Sequence, residues 1–276
     1  MTAGGSSAGS ESAENQPPLA LIPEQRRQRM VTLLEQDVVL SVRELTTKLG
    51  VSHMTVRRDI AALEAEGRAV SVTGGVRLAR HLHSEPSYEV KAVTHLDLKE
   101  AIAAEAASRV SSGAAIYLDA GTTVAALVPA LLTLTDLTVV TNDFTTLSLL
   151  MDHDLELVHV GGHVENRNRS SIGRLAAATL RQINVDVAFL SASSWDGTRG
   201  VTTPSESKVD VKHAAMEVAS TSILLADATK YGTFAMHRVA PLTAFDEVIT
   251  DTGFSGDAAS QLRAGGVPLT LAGPEG

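Results

Sequence analysis

The chain of 276 residues contains no cysteine and few aromatic residues, and both features narrow the functions open to it. Without cysteine there is no disulfide, cysteine–zinc site, iron–sulfur cluster or thiol nucleophile. Phe, Trp and Tyr make up 3% of the residues, so the core must be built mainly from Ala, Val, Leu and Ile. An RNA or single-strand binder that stacks bases on exposed rings is therefore disfavoured.

Long hydrophobic runs are also lacking. The longest stretch without a charged residue, 120–135, contains Gly121, Pro129 and four threonines, and it is too short and too polar to span a bilayer. The first twenty residues have neither a basic start nor an apolar run, so we expect no signal peptide. The expected location is the cytoplasm.

The formal net charge of −9 argues against a nucleic-acid partner, but the charge is unevenly distributed. Residues 24–80 carry a net charge of +3, whereas residues 81–276 sum to −10. A small basic module joined to a larger acidic one is expected when only one part of a protein touches phosphate. Random scatter explains an excess of three charges equally well, so the distribution alone does not decide.

Composition and periodicity divide the chain into four segments. Residues 1–20, rich in Ser, Gly, Ala, Glu and Pro, are predicted to be a disordered tail. Residues 21–80 form a compact helical pattern, and residues 81–98 are a polar linker. In residues 99–276, short β-rich runs alternate with helical segments, which predicts an α/β fold with a largely parallel sheet. The predicted strands are 115–118, 138–141, 155–160, 185–190, 223–226 and 247–250.

The N-terminal segment predicts a winged helix-turn-helix. A first helix runs over 24–36, and a second begins after the capping box Ser41-x-x-Glu44 and ends at Gly50. Ser52 then caps a third helix over 53–66, after a turn of helix-turn-helix spacing. Apolar positions on both sides of Gly74-Gly75 predict a short β-hairpin, the wing.

The start of the third helix is the part that enters the major groove in this fold. Arg57 or Arg58 is suited to paired hydrogen bonds with guanine, and Thr55 to a thymine methyl or a phosphate. Arg77 on the wing and Arg26, Arg27 and Arg29 on the first helix are candidate phosphate contacts. The predicted DNA-binding residues are Ser52, His53, Met54, Thr55, Arg57, Arg58 and Arg77.

The run from Val51 to Ile60, followed by Leu63-Glu64 and Gly67, resembles the helix-turn-helix signature of the DeoR family of bacterial transcription regulators. That family usually has His-Gly-Gly in the wing. This chain has Thr73-Gly74-Gly75, which keeps the turn but lacks the histidine.

In the second module, small and hydroxyl-bearing residues follow nearly every predicted strand. Gly121-Thr122-Thr123 opens a helix after the first strand, where free amides, hydroxyls and the helix dipole suit a phosphate. Ligands collect at this edge of an open α/β sheet. Lys212 and Lys230 are positioned to neutralise an anion. An ordinary helix cap explains the Gly-Thr-Thr turn as readily when it is taken alone.

These elements, with Glu206-x5-Lys212 and Asp227-x-x-Lys230, resemble the DeoR sensor domain, which is similar in fold to ribose-5-phosphate isomerase and coenzyme A transferases. The resemblance implies a phosphorylated sugar or related metabolite as effector, with no cofactor. Asp119 is expected to position the loop or a sugar hydroxyl. The implied effector-binding residues are Asp119, Gly121, Thr122, Thr123, Asn142, Lys212 and Lys230.

The leading hypothesis is a homo-oligomeric regulator, a repressor of a carbohydrate operon, whose affinity for operator DNA is modulated by a sugar phosphate and which is not an enzyme. The alternative is a sugar-phosphate isomerase or acyl transferase with a DNA-binding extension, using Asp119, Glu206 or Asp227 for proton transfer. A third reading has the winged helix contacting protein instead of DNA. The two histidine pairs of the sequence, His81-x-His83 and His159-x3-His163, have no third ligand at metal-site spacing, so no metal is expected. Trp195 is expected at the pocket mouth or against a partner subunit.

Overall fold

The computed structural model of the chain describes residues 21–37 and 39–273. The tail predicted over residues 1–20 lies outside the described residues. The N-terminal module contains three helices and one hairpin: α1 (Pro23–Gln36), α2 (Val42–Leu49), α3 (His53–Ala65), β1 (Ala69–Val72) and β2 (Gly75–Leu78). This arrangement confirms the predicted winged helix-turn-helix.

The capping residues identified in the sequence hold the ends of α2. The Ser41 hydroxyl accepts the amide of Glu44 at 3.2 Å, and the Glu44 carboxylate accepts the amide of Ser41 at 2.8 Å. Gly50 ends the helix with φ of 66°, a left-handed conformation that glycine adopts without a steric penalty. The module closes over its own small core, formed by Met30, Leu45, Val56, Ile60, Leu63 and their neighbours.

The wing is an antiparallel hairpin in which Val72 faces Gly75, so its turn residues are Thr73 and Gly74 and not the two glycines. Gly75 serves packing instead. A Cβ at this position would lie 2.3 Å from the carbonyl oxygen of Leu40, which bridges to the hairpin at Val76.

The segment predicted to be a linker is structured and held against the second module. It contains β3 (Arg80–His81) and α4 (Tyr88–Val93), and α5 (Leu96–Ala107) already begins within it. Strand β3 pairs in parallel with β13 (Thr233–Phe234).

The second module is built on a seven-stranded parallel sheet of order β16-β15-β12-β9-β4-β5-β6. Its strands are β4 (Ala115–Leu118), β5 (Thr138–Thr141), β6 (Glu156–His159), β9 (Val185–Ser191), β12 (Ala219–Leu225), β15 (Glu247–Asp251) and β16 (Leu269–Ala272). The covering helices are α5, α6 (Thr122–Ala125), α7 (Val128–Leu131), α8 (Phe144–Leu150), α9 (Gly173–Leu180), α10 (Glu206–Val218) and α11 (Gly256–Ala264). The α/β prediction is confirmed.

Alternating residues of the strands pack into two separate apolar clusters, one on each face of the sheet. Ile116 and Leu118 of β4 join the cluster beneath α5, α6 and α7, whereas Tyr117 joins the cluster beneath α9, α10 and α11. Both faces are covered, as parallel sheets require.

Several elements were not predicted. The hairpin β7 (His163–Glu165) and β8 (Ser170–Ile172) follows β6, while β10 (Ser194–Asp196), β11 (Gly200–Thr203) and β14 (His237–Ala240) form a small separate sheet. The helix expected to open at Gly121-Thr122-Thr123 is followed closely by a second one, so this stretch forms two short helices, with Pro129 near the start of the second.

Trp195 lies in neither of its expected positions. It belongs to β10, is fully buried, and stacks on Phe254 with Tyr231 at its edge. Its Nε1 donates to the carbonyl of Asp227 at 3.2 Å, so the indole supports a loop of the second module from inside.

Among the helices of the described residues, none has the length and hydrophobicity needed to span a membrane.

Candidate functional site

The first candidate surface is the exposed start of α3. Ser52 caps this helix, because its hydroxyl accepts the amide of Thr55 at 3.2 Å and contacts the Thr55 hydroxyl at 2.9 Å. His53, Met54 and Arg58 are exposed, and Met54 is 69% exposed although it is apolar. A large apolar side chain in this position is available to an external partner.

Arg57 is also exposed and forms a 3.3 Å ion pair with Asp257 of α11, in the second module. Exposed pairs of this kind contribute little stability, so the guanidinium can leave Asp257 for another partner. Arg26 of α1 differs, because it forms a paired hydrogen bond with the buried Asp59 of α3. It ties α1 to α3 and does not fit the phosphate contact expected from the sequence.

Arg77 does not fit a DNA contact either. It is 9% exposed, and its guanidinium donates to the carbonyls of Tyr231, Gly232 and Leu78. Burial lowers its pKa. Alternation along β2 turns this side chain toward the second module, so Arg77 connects the wing to the loop after Lys230.

The second candidate site is a cavity of about 350 Å³ at the carboxyl edge of the sheet. It lies where β4, β5, β9 and β12 end, around the boundary between β4 and β9. The chain runs outward from this boundary in both directions, through β5 and β6 on one side and through β12, β15 and β16 on the other. Such a switch point is where open α/β sheets bind ligands.

All seven predicted effector residues line this cavity: Asp119, Gly121, Thr122, Thr123, Asn142, Lys212 and Lys230. Two of these residues, Asn142 and Asp119, connect neighbouring loops at the edge of the sheet. Asn142 accepts from the Tyr117 hydroxyl and the Ala120 amide, and it donates to the Ser171 carbonyl. Asp119 accepts from the amide and hydroxyl of Ser191 and pairs with Lys212.

The Gly121-Thr122-Thr123 turn differs from the expectation in one respect. Its helix, α6, has only four residues, so the dipole that was expected to attract phosphate is weak. The first amides of the helix still have no partner inside it. A Cβ on Gly121 would lie 2.8 Å from the Cβ of Ser191, so the loop reaches β9 this closely only with glycine here.

Two buried hydroxyls line the cavity without a hydrogen-bond partner among the described residues. These are Thr123 Oγ1 and Ser170 Oγ, on residues that are 1% and 0% exposed. Buried polar atoms are normally paired, so these hydroxyls are the groups that a bound polar ligand would satisfy.

Three lysines of the cavity were missed by the sequence reasoning: Lys91, Lys99 and Lys208. With Lys212 and Lys230 they make five lysines against three lining carboxylates, Glu85, Asp119 and Asp227. Glu165, outside the lining, also pairs with Lys208 at 3.0 Å, and the remaining formal excess of one positive charge suits an anion. One signal was readable, since Lys208 lies one helical turn before Lys212 on the same face of α10.

Lys99 is the least compensated of these lysines. It is 4% exposed, and its described hydrogen-bond partners are the backbone carbonyls of Lys91 and Thr94. Burial and the neighbouring charge of Lys230 lower the pKa of this lysine. A ligand anion would relieve this uncompensated charge.

Comparison with known families identifies both modules of the chain. Residues 26–81 match the DeoR-like helix-turn-helix domain, and residues 94–252 match the DeoR C-terminal sensor domain. The second match alone covers more than half of the chain. The chain belongs to the DeoR family.

Full-length relatives agree with this assignment. An uncharacterised HTH-type transcriptional regulator, YgbI of Escherichia coli strain K12, is 43% identical over 253 residues, covering 91% of this chain and 99% of the relative. A putative aga operon transcriptional repressor of Escherichia coli O157:H7 is 30% identical, covering 90% and 94%. The glycerol-3-phosphate regulon repressor of strain K12 is 29% identical, covering 82% and 90%.

Among solved structures, ribose-5-phosphate isomerase A of Methanocaldococcus jannaschii is similar at a TM-score of 0.37, with 23% identity over 49% of this chain and 54% of that one. A similarity this weak supports no functional inference.

The relatives of this DeoR-family chain are described as regulators, so the enzyme alternative is set aside. The chain is a transcription regulator of this family, with a helix-turn-helix domain followed by a sensor domain.

Proposed function

We propose that this DeoR-family regulator is a repressor that binds operator DNA through α3 and releases it when a phosphorylated sugar or related metabolite occupies the cavity. The observation that carries the effector proposal is the cavity itself. Its five lysines, its Gly-Thr-Thr turn and the two hydroxyls that lack a partner within the described part of the chain together suit a phosphate with an attached polyol.

The DNA proposal rests on the exposed residues at the start of α3. Ser52 caps the helix by accepting the amide of Thr55, while His53, Met54, Arg57 and Arg58 are exposed and free to enter a groove. Arg77 is withdrawn from this set because its guanidinium is held by carbonyls of the second module.

The repressor proposal takes support from relatives whose names refer to the aga operon and the glycerol-3-phosphate regulon. A helix-turn-helix protein reads a two-fold operator as a symmetric assembly, so we also propose a homo-oligomer. Such a regulator works where the chromosome lies, in keeping with the predicted cytoplasmic location.

The test is operator binding by fluorescence anisotropy, using DNA from upstream of the protein's own gene with pentose and hexose phosphates as candidate effectors. We expect tight binding at low salt that weakens steeply as salt rises, and a further loss with at least one sugar phosphate. Absence of binding at low salt would contradict the DNA proposal. Turnover of a sugar phosphate would contradict the sensor proposal.

A pair of lysine variants separates the cavity from general charge effects. Lys230→Gln removes a lining lysine and should abolish the effector response while operator binding remains. Lys48→Gln removes an exposed lysine of α2, which pairs with Asp37 far from the cavity, and should keep the response. If Lys230→Gln keeps the full effector response, as Lys48→Gln is expected to, the effector binds elsewhere.

A further inference from the structure

The cavity contains an anion supplied by the chain itself. Glu85 lies between β3 and α4, on the connection to the DNA-binding module, and its carboxylate lines the cavity. It contacts Lys91 at 3.1 Å and Lys208 at 3.0 Å, and it accepts from the hydroxyl of Ser193. A carboxylate of the connection is thus already paired with two of the five lysines that a ligand would use.

The environment of Glu85 keeps it ionised. The carboxylate is about one-tenth exposed, and burial raises its pKa, but the charges of Lys208 and Lys91 outweigh burial and lower the pKa to about 2. A buried carboxylate with two lysine partners has the charge and the hydrogen-bond geometry of a bound anion.

We propose that Glu85 is a tethered competitor of the effector: the anionic group of the ligand takes over Lys91, on α4, and Lys208, displaces Glu85, and so releases residues 82–87, between β3 and α4, from the cavity wall. This inference rests on the proposed function, because it takes the cavity to be the phosphate site.

Glu85 is better placed for this exchange than the other lining carboxylates. Asp119 comes directly after β4 and is fixed by the amide of Ser191, and Asp227, the second residue after β12, is paired with Thr229 and Lys230 of its own loop. The described hydrogen-bond partners of the Glu85 carboxylate are all side chains: Ser193 and Lys208 on other segments, and Lys91 on α4 of the same connection. It can therefore leave without breaking a backbone hydrogen bond at its carboxylate.

The exchange also explains how occupancy reaches the DNA-binding module. One anion replaces another, so the lysines stay paired while the segment that carries Glu85 is released. That segment continues into β3, which pairs with β13, and then into the wing. A ligand that binds only when Glu85 has left stabilises the released state by its differential affinity, which is the requirement for coupling.

The test is titration of the full chain with inorganic phosphate by calorimetry at constant ionic strength, with two carboxylate variants compared. Glu85→Gln keeps the shape but removes the competing charge, and we expect phosphate to bind at least about tenfold more tightly. Glu89→Gln is the matched control: Glu89 lies on α4 of the same connection and pairs with Arg169 at 2.7 Å, exposed and outside the cavity lining. Its phosphate affinity should stay within about twofold of that of the wild type.

A second readout follows hydrogen exchange in residues 82–87. In the wild type, phosphate should speed exchange there. In Glu85→Gln, exchange should already be fast and phosphate should not change it. Glu85→Asp keeps the charge but draws it back from the lysines, so its phosphate affinity should fall between those of the wild type and Glu85→Gln, and it serves if the glutamine variant fails to fold.

The outcomes separate the two proposals. If phosphate binds the wild type and Glu85→Gln equally, or binds the variant more weakly, the competitor proposal fails and the proposed function stands. Slower exchange in residues 82–87 on phosphate binding has the same meaning. If phosphate and the sugar phosphates bind none of the variants, the proposed function fails and this inference fails with it.

Discussion

The recognition helix and the cavity differ in how their residues are arranged along the chain and in how firmly they are held. The DNA-binding candidates on α3 lie within seven consecutive positions, 52–58, and most are exposed. The cavity residues come from segments between Leu82 and Thr233, and many are buried and paired with one another. Substitutions on the first surface should therefore leave the fold intact. The residues of the second surface are distant in sequence and hold one another, so substitutions there should also affect stability.

The largest effect that tests this difference is expected at Asp119. Replacing Asp119 by Ala leaves the buried ammonium of Lys212 without its carboxylate, and both residues are less than 5% exposed. We expect the free energy of unfolding to fall by about 3–5 kcal/mol in a denaturant titration.

The double variant Asp119→Ala/Lys212→Met gives the control, because removing both charges should recover part of the loss. A loss below about 1 kcal/mol in the single variant would mean that the cavity is less interlocked than its geometry indicates.

The second prediction concerns pH. The pKa of Glu85 falls from its ordinary 4.5 to about 2 in the folded chain, because Lys208 and Lys91 outweigh the effect of burial. A carboxylate whose pKa is lower in the folded state stabilises the fold above its unfolded pKa, and this stabilisation is lost as the pH falls. The wild type should therefore lose up to about 3 kcal/mol from this group between pH 5 and pH 2.

Denaturant unfolding of the wild type and Glu85→Gln across this range measures the contribution. The stability difference between them should shrink as the medium becomes more acidic. A difference that is constant with pH would show that the carboxylate is not held by the two lysines.

The third prediction concerns the exposed surface. Arg58 has no ion-pair partner among the described residues, so Arg58→Ala should change the free energy of unfolding by less than about 0.5 kcal/mol. If Arg58 reads a base, operator binding should weaken by about 1–3 kcal/mol and sequence preference should relax at one position.

Anisotropy with the operator and with single-base variants measures both effects. Unchanged affinity and preference would remove Arg58 from the DNA-binding residues, and Arg57 would then be the arginine to test.

The same difference explains what the sequence could predict. Helix caps, the wing and α3 depend on neighbours in the chain, so Ser41, Gly50 and Ser52 were readable directly. The cavity residues that follow strands, such as Asp119 and Asn142, were found because strand ends meet at one edge of a parallel sheet. Glu85, Lys91 and Lys99 follow no strand of that sheet, and only the packing of the connecting segment brings them to the cavity.

Arg77 shows the limit of local reasoning from the other direction. Its place on the wing of a basic module favoured a phosphate contact, and nothing in the hairpin sequence shows which face the second module covers. Strand β3, bound to β13, and Val70, packed with the core of the second module, bring that face of the wing against the second module. The resulting partners are backbone carbonyls, which no residue pattern marks.

The smallest effect is expected when Arg77 is replaced by Met, which keeps the apolar stem but removes the hydrogen bonds to Tyr231, Gly232 and Leu78. The unpaired carbonyls destabilise the chain, while the loss of a buried charge offsets part of this effect, so we expect a fall of about 1–2 kcal/mol in the free energy of unfolding. The salt dependence of operator binding distinguishes this role from a DNA contact. A lost phosphate contact lowers the slope of log affinity against log salt by about one, whereas a link between the modules leaves it unchanged. A lowered slope with full stability would return Arg77 to the DNA surface and would mean that the wing separates from the second module when DNA binds.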